Sequence, residues 1–97
     1  MDNLSYTLLD EDAVKMGLAS LTDWSIENNI LTKTYSFDSY AEGIMFGAAV
    51  GHLANTLNHH PDILISYGKV KVSTWTHDAG GLTSYDLELA KRIDRIV

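Results

Sequence analysis

The chain is short of several residue types, and each shortage narrows what it can be. It contains no cysteine, which excludes disulfides and thiolate metal sites. It has a single proline, Pro61, and neither a repeat nor a Pro/Gly/Ser-rich linker, so 97 residues are expected to form one domain. No apolar run is long enough to span a bilayer, and the acidic start "MDNLSYTLLDED" does not resemble a signal peptide.

Positive charge is also scarce. Seven Lys and Arg residues stand against 13 Asp and Glu residues, and the net charge is −6. This balance argues against binding to nucleic acid or to an anionic membrane, since both need a basic face. We therefore expect a soluble, cytoplasmic protein. The hydrophobic fraction of 45% suits one modest core, and a core of that size favours self-association.

The pattern of apolar residues predicts three helices and four strands. Helices are expected in "LDEDAVKMGLASL", capped by Asp10, in "DSYAEGIMFGAAVGHLANTLN", capped by Asp38, and in "LTSYDLELAKRIDRIV". The last of these begins with a capping box, in which Asp86 is the reciprocal partner of Thr83. A hairpin is expected in "WSIENNILTKTYSF", and a second one joins "DILISY" to "KVKVSTWTH" through Gly68.

These elements predict an α+β fold in the order α-β-β-α-β-β-α. A four-stranded antiparallel sheet would carry the three helices on one face. On the last strand, Val70, Val72 and Thr74 should be buried, and we expect residues 70–77 to lie at an edge of the sheet. Lys33 shares a row with core residues, which favours a stem packed on the core with its ammonium group at the surface.

Three of the four histidines fall within residues 58–77, namely His59, His60 and His77. One interpretation is a metal site, but adjacent histidines diverge and no HExxH-type spacing is present. A second is that the rings fill polar gaps between a helix and a strand. A third is acid–base catalysis, because histidine both gives and takes protons near neutral pH. No nucleophile signature accompanies the histidines, and Trp75 offers a flat surface for an aromatic substrate.

The second helix carries a further polar line. His52, Asn55 and His59 are spaced i, i+3 and i+7, which predicts that they share one side of this helix. The middle of the helix is rich in small residues at 43–51, which allows a neighbouring element to approach closely.

The stretch "HHPDILISYGKVKVSTWTHDAGGLTSYDLELAKRID" resembles the signature of the pterin-4a-carbinolamine dehydratases. The family pattern places His-His-Pro, an aromatic residue, a histidine and an aspartate at the spacings of His59, Tyr67, His77 and Asp86. Upstream, Trp24 and "YSFDSY" are similar to further family elements. The resemblance covers residues 9–97 and agrees with the predicted fold.

The resemblance implies a hydro-lyase that removes water from 4a-hydroxy-tetrahydropterin to give quinonoid dihydropterin, in the recycling of tetrahydropterin. It implies no metal or other cofactor, a pterin substrate, and a homodimer or homotetramer. His59 and His77 would be the acid–base pair, with His60 binding and orienting the pterin. Residues expected to contact the substrate or to lie beside it are Asn55, Asn58, Pro61, Trp75, Thr76 and Asp78.

One position departs from the family pattern. Four residues before His59 the family has an acidic residue, and this chain has Asn55. An amide can still accept or donate a hydrogen bond, but it does not stabilise an imidazolium by charge. The alternative function is therefore a binding or assembly protein on the same fold. Asp86 is assigned to helix capping and not to the catalytic set.

Overall fold

A computed structural model describes residues 4–97 and has the predicted order of elements. The described residues form the α-helices α1 (Glu11–Ala19), α2 (Tyr40–Leu57) and α3 (Ser84–Arg95), the strands β1 (Ser25–Glu27), β2 (Ile30–Ser36), β3 (Asp62–Ser66) and β4 (Lys69–Thr74), and a short 3-10 helix at His77–Ala79. The α+β prediction is confirmed. Within residues 4–97, no helix has both the length and the apolar character that crossing a membrane requires.

All neighbouring strands are antiparallel, and the sheet order is β1-β2-β4-β3. The prediction that the strand at 70–77 lies at an edge is therefore wrong, because β4 pairs with β2 on one side and with β3 on the other. The physical reason is the connection through α2. It carries the chain across the sheet, so that the β3–β4 hairpin returns with its second strand beside β2. The two edges are β1 and β3.

The core lies between one face of the sheet and the helices. Val70, Val72 and Thr74 of β4 are fully buried, as the alternating pattern predicted. Val70 and Val72 belong to one hydrophobic core with the fully buried Val50 of α2 and Leu89 of α3. Burial of this kind stabilises by about 25 cal/mol per Å² of apolar surface, so these contacts hold the helices on one face of the sheet.

The helix caps show how local chemistry starts each helix. The Asp10 side chain accepts a hydrogen bond from the Ala13 backbone N–H at 2.8 Å, which confirms that cap. The predicted capping box of α3 is also present, at Thr83 and Asp86. The prediction for Asp38 is wrong. Ser39 is the cap of α2, since its backbone is extended and its hydroxyl accepts from the Glu42 N–H at 3.2 Å.

Lys33 is not simply a solvated lysine. Its ammonium group donates to Asp94 at 2.9 Å and to the backbone carbonyl of Thr22 at 2.8 Å. The Tyr35 hydroxyl and the Trp24 indole also donate to Asp94, at 2.7 and 3.0 Å. Burial raises the pKa of Asp94, but these donors outweigh that effect and hold the pKa below its usual value. This cluster closes the end of the core between β1, β2 and α3.

Candidate active site

The first wall of the site is built where α2 ends. Asn58 adopts the left-handed conformation, with φ of 51°, and stops the helix. His59 therefore does not continue the helical line of His52 and Asn55, and that part of the sequence prediction is wrong. The chain turns inward, the His59 backbone N–H donates to the Ala54 carbonyl at 3.1 Å, and His59 is only 7% exposed. His52 stays on the exposed face of α2.

The opposite wall is built beyond β4, which ends at Thr74, three residues earlier than predicted. Thr76 forms an isolated antiparallel bridge with Gly81, and the chain between them makes the 3-10 turn that carries His77. Gly80 ends this turn with φ of 78°, a backbone conformation that residues with a Cβ atom rarely adopt. The turn brings His77 back toward the end of α2.

A cleft of about 490 Å³ lies between these two walls. It is lined by Tyr6, Asn58, His59, His60, Trp75, Thr76, His77, Asp78 and Ala79. The structure thus brings all three predicted catalytic histidines together with four of the predicted contact residues. Pro61 and Asn55 do not line the cleft. Pro61 lies between His60 and the start of β3, where it directs the chain into the strand.

Beneath the cleft, Asp86 organises a buried polar cluster. Its carboxylate is fully buried and accepts four hydrogen bonds. The Nε2 of His59 lies 2.6 Å from Oδ1, and the hydroxyls of Thr74 and Thr76 donate at 2.6 and 2.8 Å. The Thr83 backbone N–H donates at 3.0 Å, so one carboxylate both caps α3 and holds His59.

This cluster determines the state of the carboxylate and the orientation of the imidazole. Burial alone raises the pKa of Asp86, but the hydrogen bonds from His59, Thr74, the Thr83 backbone and Thr76 outweigh it and lower the pKa. An ionised carboxylate only accepts hydrogen bonds, so Nε2 of His59 carries the hydrogen. The other ring nitrogen, Nδ1, has no hydrogen-bond partner among residues 4–97 and is available to a ligand.

The remaining two histidines are less constrained. The Nε2 of His60 lies 3.0 Å from the Asn55 side-chain oxygen, so Asn55 supports His60 from one turn back on the helix. The ring of His77 is exposed and makes no hydrogen bond to any residue that the structure describes. The three histidines therefore differ in burial and in partners, which is what separate proton-transfer roles require.

Sequence reasoning missed three residues of the site, namely Tyr6, Asp86 and, on the 3-10 turn, Ala79. Tyr6 lines the cleft and stacks on Tyr85, with ring centroids 4.1 Å apart, and its ring lies 6.2 Å from that of His59. No local pattern identifies an isolated aromatic residue before the first helix as part of a site. Asp86 was assigned to capping alone. Its place in the family signature was the signal that could have indicated a second role.

No group of three or more histidine, cysteine, aspartate or glutamate side chains within residues 4–97 is arranged to hold a metal ion. The site instead combines hydrogen-bonding side chains with the indole of Trp75. Such a cleft suits a flat, polar heterocycle that exchanges protons with imidazoles.

Comparison with known protein families agrees with this geometry. The model of the family described as "Pterin 4 alpha carbinolamine dehydratase" matches residues 7–96. A protein of Sulfurisphaera tokodaii, named "Putative pterin-4-alpha-carbinolamine dehydratase", is 42% identical over 89 residues. This match covers 92% of the present chain and 96% of the relative.

Two solved structures are similar in fold. A protein of Brucella melitensis, described as a "transcriptional coactivator/pterin dehydratase", superposes with a TM-score of 0.86 at 27% identity, over 91% of this chain and 96% of that one. A pterin dehydratase-like protein described as a RuBisCO assembly factor in the alpha-carboxysome superposes with a TM-score of 0.60. It is 23% identical, covering 75% of this chain and 84% of its own, and shows the fold alone.

Proposed function

The chain belongs to the pterin-4a-carbinolamine dehydratase family, and we propose that it removes water from a 4a-hydroxy-tetrahydropterin. The product is the quinonoid dihydropterin, so the protein serves in the recycling of tetrahydropterin. The observation that carries this proposal is the buried Asp86–His59 hydrogen bond on the floor of a cleft that also contains His60 and His77.

The reaction is a loss of water with two proton transfers. The C4a–O bond breaks while the leaving hydroxyl receives a proton, and water departs. The lone pair of the adjacent ring nitrogen N5 forms the new C4a=N5 double bond, and one ring N–H proton is given to a base. Proton donors and acceptors held in place contribute typically about 10²–10⁴-fold to such a reaction.

His59 is suited to the role of base. Asp86 holds Nε2–H, leaves Nδ1 as the proton acceptor and stabilises the imidazolium that forms when the proton arrives. The ionised carboxylate lies in a buried site, where its field acts more strongly than in water. His59 is also the most buried of the three rings in the cleft, so its orientation is constrained.

His77 and His60 are assigned complementary roles. His77 lies on the opposite wall, its ring has no hydrogen-bond partner among residues 4–97, and it serves as the acid that protonates the leaving hydroxyl. His60, supported by Asn55, hydrogen-bonds and orients the pterin. Trp75 provides an apolar face for the ring, and Asn58, Thr76 and Asp78 supply polar groups on the lining.

The test is a dehydratase assay on a 4a-hydroxy-tetrahydropterin, with His59→Ala and His77→Ala as variants. We expect each to lower kcat by about 10²–10⁴-fold with a much smaller effect on binding. His60→Ala should mainly raise KM. His52→Ala is the matched control, since His52 is an exposed histidine of α2 that does not line the cleft.

Near-normal turnover in both the His59 and His77 variants would reject the assigned roles. A folded wild-type protein without dehydratase activity would reject the dehydratase proposal itself.

If the wild-type protein has no dehydratase activity, the second candidate function is a binding or assembly role. A specific observation supports it, because the outer face of α2 leaves Tyr40, Ile44 and Met45 between 44% and 70% exposed. Apolar side chains grouped on one helix face are typical of an interaction surface.

A further inference from the structure

A second cleft lies on the far side of the wall that carries the proposed acid. It has a volume of about 380 Å³ and is lined by Asn28, Asn29, Ile30, Trp75, His77, Gly80 and Gly81. Trp75 and His77 line both this cleft and the one containing His59. The two clefts are therefore neighbouring compartments that share these two side chains.

The turn of the β1–β2 hairpin supplies the polar groups of the second cleft. Asn28 and Asn29 both adopt the left-handed conformation, with φ of 53° and 65°. This is the backbone of a tight hairpin turn, which brings the β1–β2 connection next to the 3-10 turn at His77. Both asparagines are exposed, and their carboxamides make no hydrogen bond to any residue in the described part of the chain.

On the basis of the proposed function, the position of the second cleft can be related to the structure of the pterin substrate. The hydroxyl leaves C4a, which is bonded to N5, and N5 is bonded to C6, the ring carbon that carries the substituent. The substituent therefore leaves the ring close to the atoms that react. C6 is two bonds from the reacting C4a, so a His77 that protonates the leaving hydroxyl lies near the C6 substituent, and His77 belongs to the wall shared by the two clefts.

We propose that the second cleft is a substituent subsite, in which Asn28 and Asn29 recognise a hydroxylated chain on C6 of the pterin. A carboxamide both donates and accepts, which matches the hydroxyl groups of a short polyol chain. Trp75 would face the pterin from one cleft and the chain from the other. The two asparagines are thus specificity-determining residues that take no part in proton transfer.

The experiment compares two substrates in steady-state assays. One 4a-hydroxy-tetrahydropterin carries a 1,2-dihydroxypropyl group on C6, and the other carries a methyl group. Asn28→Gly and Asn29→Gly remove the carboxamides, while glycine keeps the left-handed turn at little cost. Asp23→Gly is the matched control, since Asp23 is also left-handed, with φ of 63°, and lines neither cleft.

We expect each asparagine variant to raise KM for the dihydroxypropyl substrate by about two- to tenfold, as for the loss of one neutral hydrogen bond. KM for the methyl substrate and kcat for both should be unchanged, as should all constants of Asp23→Gly. Equal changes for both substrates, or no change for either, would overturn the subsite while leaving the dehydratase activity established. Absence of wild-type activity on both substrates would overturn the proposed function and the subsite together.

Discussion

At the scale of single residues, Asp86 couples the stability of the fold to the proposed chemistry. Its carboxylate caps α3 through the Thr83 N–H and holds Nε2 of His59 at the floor of the cleft. Because these donors lower the pKa of Asp86, the folded state prefers the ionised form more strongly than the unfolded chain does. The same hydrogen bonds therefore stabilise the fold and orient the imidazole.

We expect Asp86→Asn to lower the free energy of unfolding at pH 7 by about 2–4 kcal/mol, because it removes the ionised acceptor of four buried hydrogen bonds. The contribution of Asp86 is complete above the unfolded pKa of about 3.9 and is lost as the pH falls through the lower folded value. The difference between wild type and variant should therefore shrink in acid. Urea unfolding at pH 7, 5 and 3 measures this, and a constant difference would contradict it.

The same substitution should lower kcat by about 10²-fold, since His59 loses the group that determines its tautomer. Asp94→Asn is the matched control. Asp94 also has a lowered pKa and several donors, but it lies in the cluster with Trp24, Lys33 and Tyr35, away from the cleft. Asp94→Asn should lower the free energy of unfolding without changing kcat. An equal loss of turnover in both variants would assign Asp86 a structural role only.

Asn55 is the position at which this chain leaves the family pattern, and it contacts His60. A carboxylate there would favour the protonated imidazole of its neighbour. We expect Asn55→Asp to move the acidic limb of the pH–rate profile to higher pH, and a limb displaced by about one pH unit corresponds to about 1.4 kcal/mol. Asn55→Ala, which removes the hydrogen bond without adding charge, should leave the limb in place. Coinciding profiles for wild type and Asn55→Asp would show that Asn55 does not influence catalysis.

At the scale of elements, α2 and β3 approach closely because α2 has glycine at their contact. A Cβ placed on Gly47 would lie 2.7 Å from the Cδ1 of Ile65 and 3.5 Å from the Cγ2 of Ile63. Gly43 faces Val70 of β4 in the same way, at 3.3 Å. The small residues that weaken the helix by propensity therefore let it pack on the sheet.

Gly47→Ala and Gly51→Ala form a matched pair of tests. A Cβ on Gly51 meets nothing within 4 Å, so this change should stabilise the protein by up to about 1 kcal/mol through helix propensity. Gly47→Ala should gain the same helix propensity, but the new Cβ overpacks the contact with Ile65, which costs typically about 1–3 kcal/mol and offsets the gain. Urea unfolding of both variants at one protein concentration measures the difference. If both substitutions stabilise the protein equally, the Ile65 side chain moves away from the new Cβ without cost.

At the scale of the whole molecule, the sheet has an edge suited to self-association. β3 pairs only with β4 among the described strands, and Leu64 on it is 63% exposed. Tyr67 in the following turn is 81% exposed. An unpaired edge with apolar side chains is a template for another strand. We therefore expect the dimer to form through β3, and we expect the outer face of α2 to be the contact in a tetramer.

We expect light scattering to show a dimer or a tetramer at micromolar concentration. Leu64→Lys should weaken it, because like charges face each other across an antiparallel pair of identical strands. Met16→Lys, which changes an exposed apolar side chain on α1 away from the β3 edge, should not weaken the association. A wild-type monomer, or an equal effect of both variants, would reject pairing through β3.

Features that depend on near neighbours could be predicted from the sequence alone. The caps at Asp10 and Thr83, the buried row of Val70, Val72 and Thr74, and the order of elements all follow from interactions within a few residues or from the periods of helix and strand. The predicted cap at Asp38 is wrong by one residue, because Asp38 and Ser39 are adjacent and both residue types are good helix caps. The spacing of the signature also placed His59, His60 and His77 in one site.

Features that depend on groups far apart in the chain required the tertiary structure. The central place of β4, the turn of His59 off the line of His52 and Asn55, and the contact of His59 with Asp86 arise from packing across the core. The hairpin turn that borders the second cleft is another such case. No local pattern encodes these contacts, because they are selected by the burial of the whole core at once.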